Sequence, residues 1–508
     1  MKLNYKRTIL VGFAFFLISA FWTAYDAIVP LILTNHFGLD QWLSGTVMSF
    51  DNILAVVLLP VFGALSDKIC TKMGKRTPFI LVGTICAVIF FIALAIVDII
   101  QLNAVLDSGI AEKYQLAAKE LADANIALKA AGKANDPVLV KAASDEIEVI
   151  KAAMDSIRVE TLQVTMNNIM PLVSFVGVLL CVLLSMATFR SPAVALMPDV
   201  TIKPLRSKGN AIINLMGTAG GILVLVLGMI FNTSGNKYMQ YTGYVISVCA
   251  IMVVGLIIFM ATVREKKWAA EMEEETKRLG LEEPAAEECG EKKKLTKSEL
   301  GSLLLILASV ALWYIGYNAI TSKYSVYATN VLYFDFNLTL IIAQAAAVVT
   351  YIPIGIVASK IGRRKTILAG IVMLATAFTT GYFINFDTPE IVMYPIFILA
   401  GIGWATINVN SFPMVVELAK GGDVGKYTGY YYTASMAAQI VAPILSGILF
   451  DIVGKAVGDA NQGMRYVFFL FGAIFVALSF VTMFFVKHGD AKPVKKKDVL
   501  ESLDVGDD

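Results

Sequence analysis

Apolar residues fall along this chain in long blocks separated by polar breaks. Twelve blocks reach the roughly 20 residues that a helix needs to cross a hydrocarbon core. They lie near 8–34, 41–66, 77–103, 166–198, 207–232, 241–263, 299–326, 336–359, 365–385, 390–417, 427–450 and 464–487. Backbone groups in lipid must bond within their own segment, and the blocks are too long and too evenly apolar for barrel strands. The expected fold class is therefore all-α integral membrane, with twelve transmembrane helices.

Two polar segments interrupt the blocks. In 104–165, Ile147, Ile150, Met154 and Ile157 recur at helical spacing, as do Tyr114, Ala117, Leu121, Ala124 and Leu128. Asn135-Asp136-Pro137 breaks the pattern between them. This predicts an antiparallel helical hairpin that prolongs the third and fourth spans, serving as a spacer or shield, or as a contact for a partner or glycan. The second segment, 264–298, has dense mixed charge and reads as a solvated linker. The expected organisation is a six-helix bundle over 1–263 carrying the insertion at 104–165, the linker 264–298, a second six-helix bundle over 299–487, and a tail at 488–508.

Charge orients this arrangement. Even-numbered spans end in basic loops: Lys68 to Arg76, Lys203 to Lys208, Arg264 to Lys267, Lys360 to Lys365, Lys420 with Lys426, and the tail. Short loops at the other ends hold few Lys or Arg, namely Lys237, Lys455 and Arg465. Basic loops face the cytoplasm, so both termini are expected there, in a cell inner (plasma) membrane. The start MKLNYKR looks like a leader, but the apolar run continues through Leu33 without a small-residue cleavage site, so it is read as the first span.

Composition excludes several function classes. The chain of 508 residues is 57% hydrophobic and 16% charged, with mean hydropathy +0.70 and net charge +2. Nothing basic enough for nucleic acid is present. Two histidines exclude a multi-histidine metal centre, and the five cysteines form no CxxC or ligand spacing. There is no P-loop or nucleophile elbow, so neither an enzyme nor an ATP-driven pump is expected, and no cofactor beyond a coupling cation.

The stretch from Asp51 to Gly83 organises the rest. It places an acid inside an apolar run, then Gly63, Ser66, Asp67, and the bases Lys68, Lys72, Lys75 and Arg76. GALSDK (63–68) before Gly74-Lys75-Arg76 has a counterpart in GIVASK (355–360) before Gly362-Arg363-Arg364. Each pair lies between the second and third span of its half, so the chain is read as two pseudo-symmetric six-helix bundles of a secondary transporter.

These residues resemble the major facilitator superfamily. More narrowly, LLPVFGALSDK with GKRTPFILVG is similar to the sucrose-transporter and glycoside-pentoside-hexuronide:cation symporter branch, in its bacterial sucrose/maltose-type form. WTAYDAIVPLIL, RSPAVALMPDV with KGNAIINLMGTAGGI, and INVNSFPMVVELA with YTGYYYTASMAAQIVAPILSGILFD extend the resemblance across the spans but not the 104–165 insertion. It implies cation-coupled glycoside transport. Plant sucrose transporters have arginine at the position of Val194, whereas here Arg190 stands one turn away. Melibiose-type symporters place paired acids where this chain has Ala55 and Leu59. Relatives often have asparagine at Asp26 and an aromatic at Lys323.

Acids inside a membrane span are functional by default. Asp26 and Asp51 fall at similar depth, counted at about 1.5 Å per residue. They are the candidate cation-coupling residues, carrying a proton or holding Na⁺, with helix pairing as the plainer role. Arg190 is their candidate charge partner, or else a pair for Asp199. Lys323 is expected to snorkel to the surface. Sugar recognition needs hydroxyl partners and flat apolar faces, which Tyr314, Tyr317, Asn318, Gln344, Trp404, Asn408, Asn410, Tyr431 and Gln439 supply, with Trp313 and Tyr432 beside them. Gly63, Asp67, Lys75, Arg76, Gly362, Arg363 and Arg364 form the candidate gating loops.

The resulting expectation is a monomeric secondary transporter in the lipid bilayer. It imports a sugar, a glycoside of di- or oligosaccharide size, with H⁺ or Na⁺ by alternating access. The alternatives are an uncoupled facilitator or antiporter for another polar solute, and a transporter-like sugar sensor.

Overall fold

A computed structural model describes residues 4–69, 71–133, 137–201, 206–278, 296–385, 388–416, 418 and 424–488. The regular elements described are helical. Eleven are long and apolar enough to cross a membrane, and a twelfth contributes the shorter apolar stretch Phe336–Tyr351.

The first half contains α1 (Tyr5–Leu31, continued by a π turn to His36), α2 (Gln41–Met48), α3 (Phe50–Lys68), α4 (Thr77–Asp107), α5 (Ile110–Lys133), α6 (Pro137–Asn167), α7 (Met170–Asp199), α8 (Arg206–Ile230) and α9 (Thr242–Thr262). α10 (Glu265–Arg278) follows. Then come α11 (Lys297–Thr321), α12 (Tyr324–Tyr327, continued by a π turn to Leu332), α13 (Phe336–Ile361), α14 (Arg363–Tyr382), α15 (Met393–Val416), α16 (Val424–Val457) and α17 (Ala460–Phe484). The second span is broken: α2 and α3 meet at Ser49, whose hydroxyl bonds the carbonyls of Gly45 and Thr46.

Two compact units result. The first comprises Met1–Leu279, Thr321–Asn337 and Pro443–Phe468. Its α1 and α8 approach backbone to side chain, since a Cβ on Gly220 would lie 2.6 Å from the Phe16 carbonyl. Close approach through small residues is how membrane helices gain packing where lipid removes the hydrophobic drive. Gly217 and Gly447 are equally tight, whereas Gly429, of the same sequence type, faces open space.

α5 and α6 pack on each other through Ala117, Leu121, Ile147, Ile150, Met154 and Ile157, joined by Val105 and Tyr238. Their base is tied to the turn after α1. Arg158 donates to the Gly38 carbonyl at 3.1 Å and pairs with Asp40 at 2.8 Å, and Thr165 donates to the Phe37 carbonyl. Gly38 has φ +68°, and a Cβ there would meet the Leu162 backbone at 2.5 Å, so only glycine fits this turn.

The second unit comprises Gly280–Ile320, Leu338–Ala442 and Phe469–Asp508. α14 and α15 cross at Gly370 and Gly403, and α11 meets α17 at Gly316 and Gly472.

Candidate functional site

In the first unit, the acids sit on two helices, Asp26 within α1 and Asp51 at the start of α3. The residues flanking Asp26 on α1, from Ala24 to Leu31, are at most 2% exposed. Asp26 itself is exposed, although its neighbours along the helix are buried. Asp51 is half-buried in the first turn of α3, where the helix dipole favours a carboxylate. Its Oδ1 accepts the backbone and side-chain N–H groups of Asn52, both at 2.6 Å.

Asp26 and Asp51 feel each other's charge, and Asp51 feels that of Arg190 on α7. The Arg190 guanidinium lies over the Trp22 ring at 5.4 Å. The indole N–H of Trp22 and the hydroxyl of Tyr25 are buried without hydrogen bonds. Thus Asp26, Asp51, Arg190, Trp22, Tyr25 and Asn52 form one polar cluster. The sequence reading missed Trp22 and Tyr25; their spacing from Asp26, one turn and one residue, is the signal that marks them. Asp199, the other acid considered for Arg190, accepts from Arg76 Nε at 2.8 Å.

The second unit gathers aromatic and amide groups. Tyr317 stacks on Trp404 with centroids 3.7 Å apart, and Tyr314 meets the same indole edge-on at 5.4 Å. Tyr314 bonds Tyr431, whose hydroxyl also lies 2.9 Å from Ser411 Oγ. Asn408 bonds the Tyr351 hydroxyl. Asn318 and Gln439 donate back to the carbonyls of Tyr314 and Ser435. Gln344 is half-buried. Two residues are withdrawn: Trp313 is fully buried, and Asn410, 2% exposed, donates to the Thr406 carbonyl. Both fill the helix interface, which takes their side chains away from any open space.

The loop after α3 is built around Arg76. Its guanidinium bonds Asp67, Asp199, Ser66 Oγ and, at 3.5 Å, the Gly63 carbonyl. Lys75 keeps its side chain exposed and gives its N–H to Glu265. In the second half, Gly362 has φ +96°, Arg363 is half-buried, and Arg364 donates to the Phe484 carbonyl.

Lys323 corrects the sequence reading. It does not snorkel; it is 0% exposed.

A profile described as "MFS_1 like family" matches residues 8–354, and one described as "Major Facilitator Superfamily" matches 333–503. The chain is 28% identical over 106 residues to an MFS-type transporter, ppzB, of Metarhizium rileyi, a match spanning about a fifth (21%) of each chain. Its fold is similar to that of the xylose transporter XylE from E. coli, with TM-score 0.60, 14% identity, and coverage of 98% of this chain and 100% of that one. It is also similar to the nucleoside transporter NupG, with TM-score 0.54, 13% identity, and coverage of 94% and 99%. Apolar spans, their all-helical arrangement and the length of the first match agree. The chain belongs to the MFS_1 like family of the major facilitator superfamily, and is a multi-pass membrane transporter rather than an enzyme.

Proposed function

We propose that this transporter is a cation-coupled sugar symporter that imports a glycoside of di- or oligosaccharide size with H⁺ or Na⁺. One observation carries the reading: two carboxylates and a guanidinium lie within electrostatic reach of one another in the first unit. Such a set is costly inside a membrane protein unless its charge changes during the cycle. Loading Asp51, with Asp26 beside it, by a cation relieves the like-charge conflict and frees Arg190 to reorganise. Tight linkage then follows, because a cation that favours the sugar-binding state is itself favoured by sugar.

The sugar-binding groups are assigned to Tyr314, Tyr317 and Trp404, whose rings suit the apolar face of a pyranose, with Asn318, Asn408, Gln344, Tyr431 and Gln439 as hydroxyl partners. A fold relative is described as a D-xylose-proton symporter, which is in keeping with this reading. Gly63, Asp67, Lys75 and Arg76, with Gly362, Arg363 and Arg364, are assigned to gating at the basic ends of the helices, which we place in the cytoplasm of a plasma-membrane protein.

The test is uptake by proteoliposomes with a panel of di- and oligosaccharides, under imposed pH or Na⁺ gradients. Accumulation of one sugar that collapses with one gradient is expected. Equilibration without accumulation would replace symport by facilitated transport. Binding with no transport would make the chain a sensor.

A further inference from the structure

At the end of the first unit opposite the basic loops, one carboxylate serves two partners. Asp451 on α16 places Oδ1 3.1 Å from the Gln41 nitrogen and Oδ2 2.8 Å from the Trp42 nitrogen. These are the first two residues of α2, whose N–H groups no carbonyl within the helix can take. The carboxylate therefore caps that helix at its positive end. The two helices touch beside the cap. A Cβ on Gly45 would fall 2.1 Å from the Pro443 carbonyl oxygen, and one on Gly447 would fall 2.5 Å from that of Gln41.

Lys323 brings a second charge to the same place. It is fully buried, and its Nζ makes no hydrogen bond among the described residues. Asp451 is its neighbouring negative charge. The Gln41 Oε1 atom is also buried without a donor. An enclosed amine that bonds nothing is costly whether or not it carries its proton, and water satisfies it as soon as the contact parts. The cap on α2 pulls the other way, since its two charge-assisted bonds exist only while α2 and α16 touch.

From this geometry we infer that Asp451 and Lys323 form a two-charge latch on the α2–α16 contact. Asp451 holds the contact shut by capping α2. Lys323, unbonded there and hydrated once the contact opens, favours opening. While the contact is closed, Asp451 also offsets part of the cost of enclosing Lys323, so removing the carboxylate weakens closure twice over. The inference rests on the chain being a transporter that must open at this end, and not on which sugar or cation it carries.

The test uses purified full-length protein in detergent, with the native cysteines replaced by alanine and Gln41→Cys as reporter. This reporter keeps the backbone N–H that Asp451 binds. The rate of maleimide labelling reads how often the contact opens. Asp451→Asn is expected to label about tenfold faster or more, from the loss of charge-assisted bonds and of the counter-charge. Lys323→Met is expected to label several-fold more slowly. The double variant is expected to return close to the parent rate, because removing the ammonium offsets removing the carboxylate. Lys323→Met labelling at the parent rate, or a double variant as fast as Asp451→Asn, would overturn the latch and leave Asp451 as a plain cap. Asp451→Glu keeps the charge and is expected to label more slowly than Asp451→Asn. Equal rates for those two, with intact gel-filtration profiles, would also overturn it. Labelling needs no substrate, so this outcome is independent of the symport assay.

Discussion

The carboxylate of Glu265 accepts both the backbone N–H of Thr77, at 2.8 Å, and its hydroxyl, at 2.7 Å. It also takes the N–H groups of Lys75 and Arg76, so a residue at the start of the linker caps α4. Glu265 is only 4% exposed. Gly74, at φ +126°, leaves the space it occupies, since a Cβ there would lie 2.3 Å from the carboxyl group. Glu265→Ala is expected to destabilise the protein by about 2 kcal/mol, the upper range for loss of a charged helix cap. Thermal unfolding in detergent measures it, and an unchanged midpoint would mean that water replaces the carboxylate at no cost.

Asp51→Asn keeps the bonding shape of the side chain but fixes its charge at zero. It is expected to retain sugar exchange down a gradient and to lose accumulation against one. Counterflow and gradient-driven uptake, run on the same proteoliposomes, separate these. Normal accumulation by the variant would remove Asp51 from coupling.

Trp404→Ala takes away the surface that Tyr314 and Tyr317 contact. Loss of one aromatic platform of about 1.4 kcal/mol raises KM about tenfold. The accumulation ratio at saturating sugar is expected to stay at the parent value, because Asp26 and Asp51, the proposed coupling acids, lie in the other unit. A change in coupling without a change in KM would contradict the division of roles.

Arg76→Lys replaces a planar fork by a single point charge. The lysine cannot hold Asp67, Asp199 and Ser66 together as Arg76 does. If this cluster gates the basic end, initial uptake falls by roughly fivefold or more at unchanged protein level. Parent rates would reduce the cluster to a signal for membrane orientation.

Lys237 gives a pH signature outside the membrane. Burial pushes its ammonium down to about 8, against the pull of Asp155 and with a smaller push from Arg158. Its Nζ lies 4.9 Å from the centroid of the Tyr114 ring on α5. Between pH 8 and about 10.4 the unfolded chain holds a proton here that the folded one lacks, so this group's contribution makes stability rise with pH. At pH 7 both states are charged, and the folded state carries the burial cost. Lys237→Met is expected to gain about 1–2 kcal/mol at pH 7 and to flatten the slope from pH 8 to 10. Denaturation across that range checks both, and a parent-like slope would exclude Lys237 as its source.

The sequence alone determined the helices, because a membrane span needs a long apolar run and this chain's runs are bounded by turns and bases. The periodic apolar positions of 104–165 likewise mark the side chains that join α5 to α6, from Ala117 to Ile157. It also marked Asp26, Asp51 and Arg190 as candidates, since a charge inside such a run stands out without any structure.

Only the tertiary structure decided how those charges are used. Helical counting places Asp26 and Asp51 at one depth but does not say which way each faces. Lys323 sits near a span end, where a long side chain ordinarily reaches water, but here it is fully buried. Trp313 and Trp404 are the same residue type on helices of one unit, yet one is core and the other faces the tyrosines. Glu265 reads as one charge in a solvated linker until the start of α4 is brought beside it. Composition and periodicity report what each residue prefers on average, whereas contacts between distant segments report which preference is met.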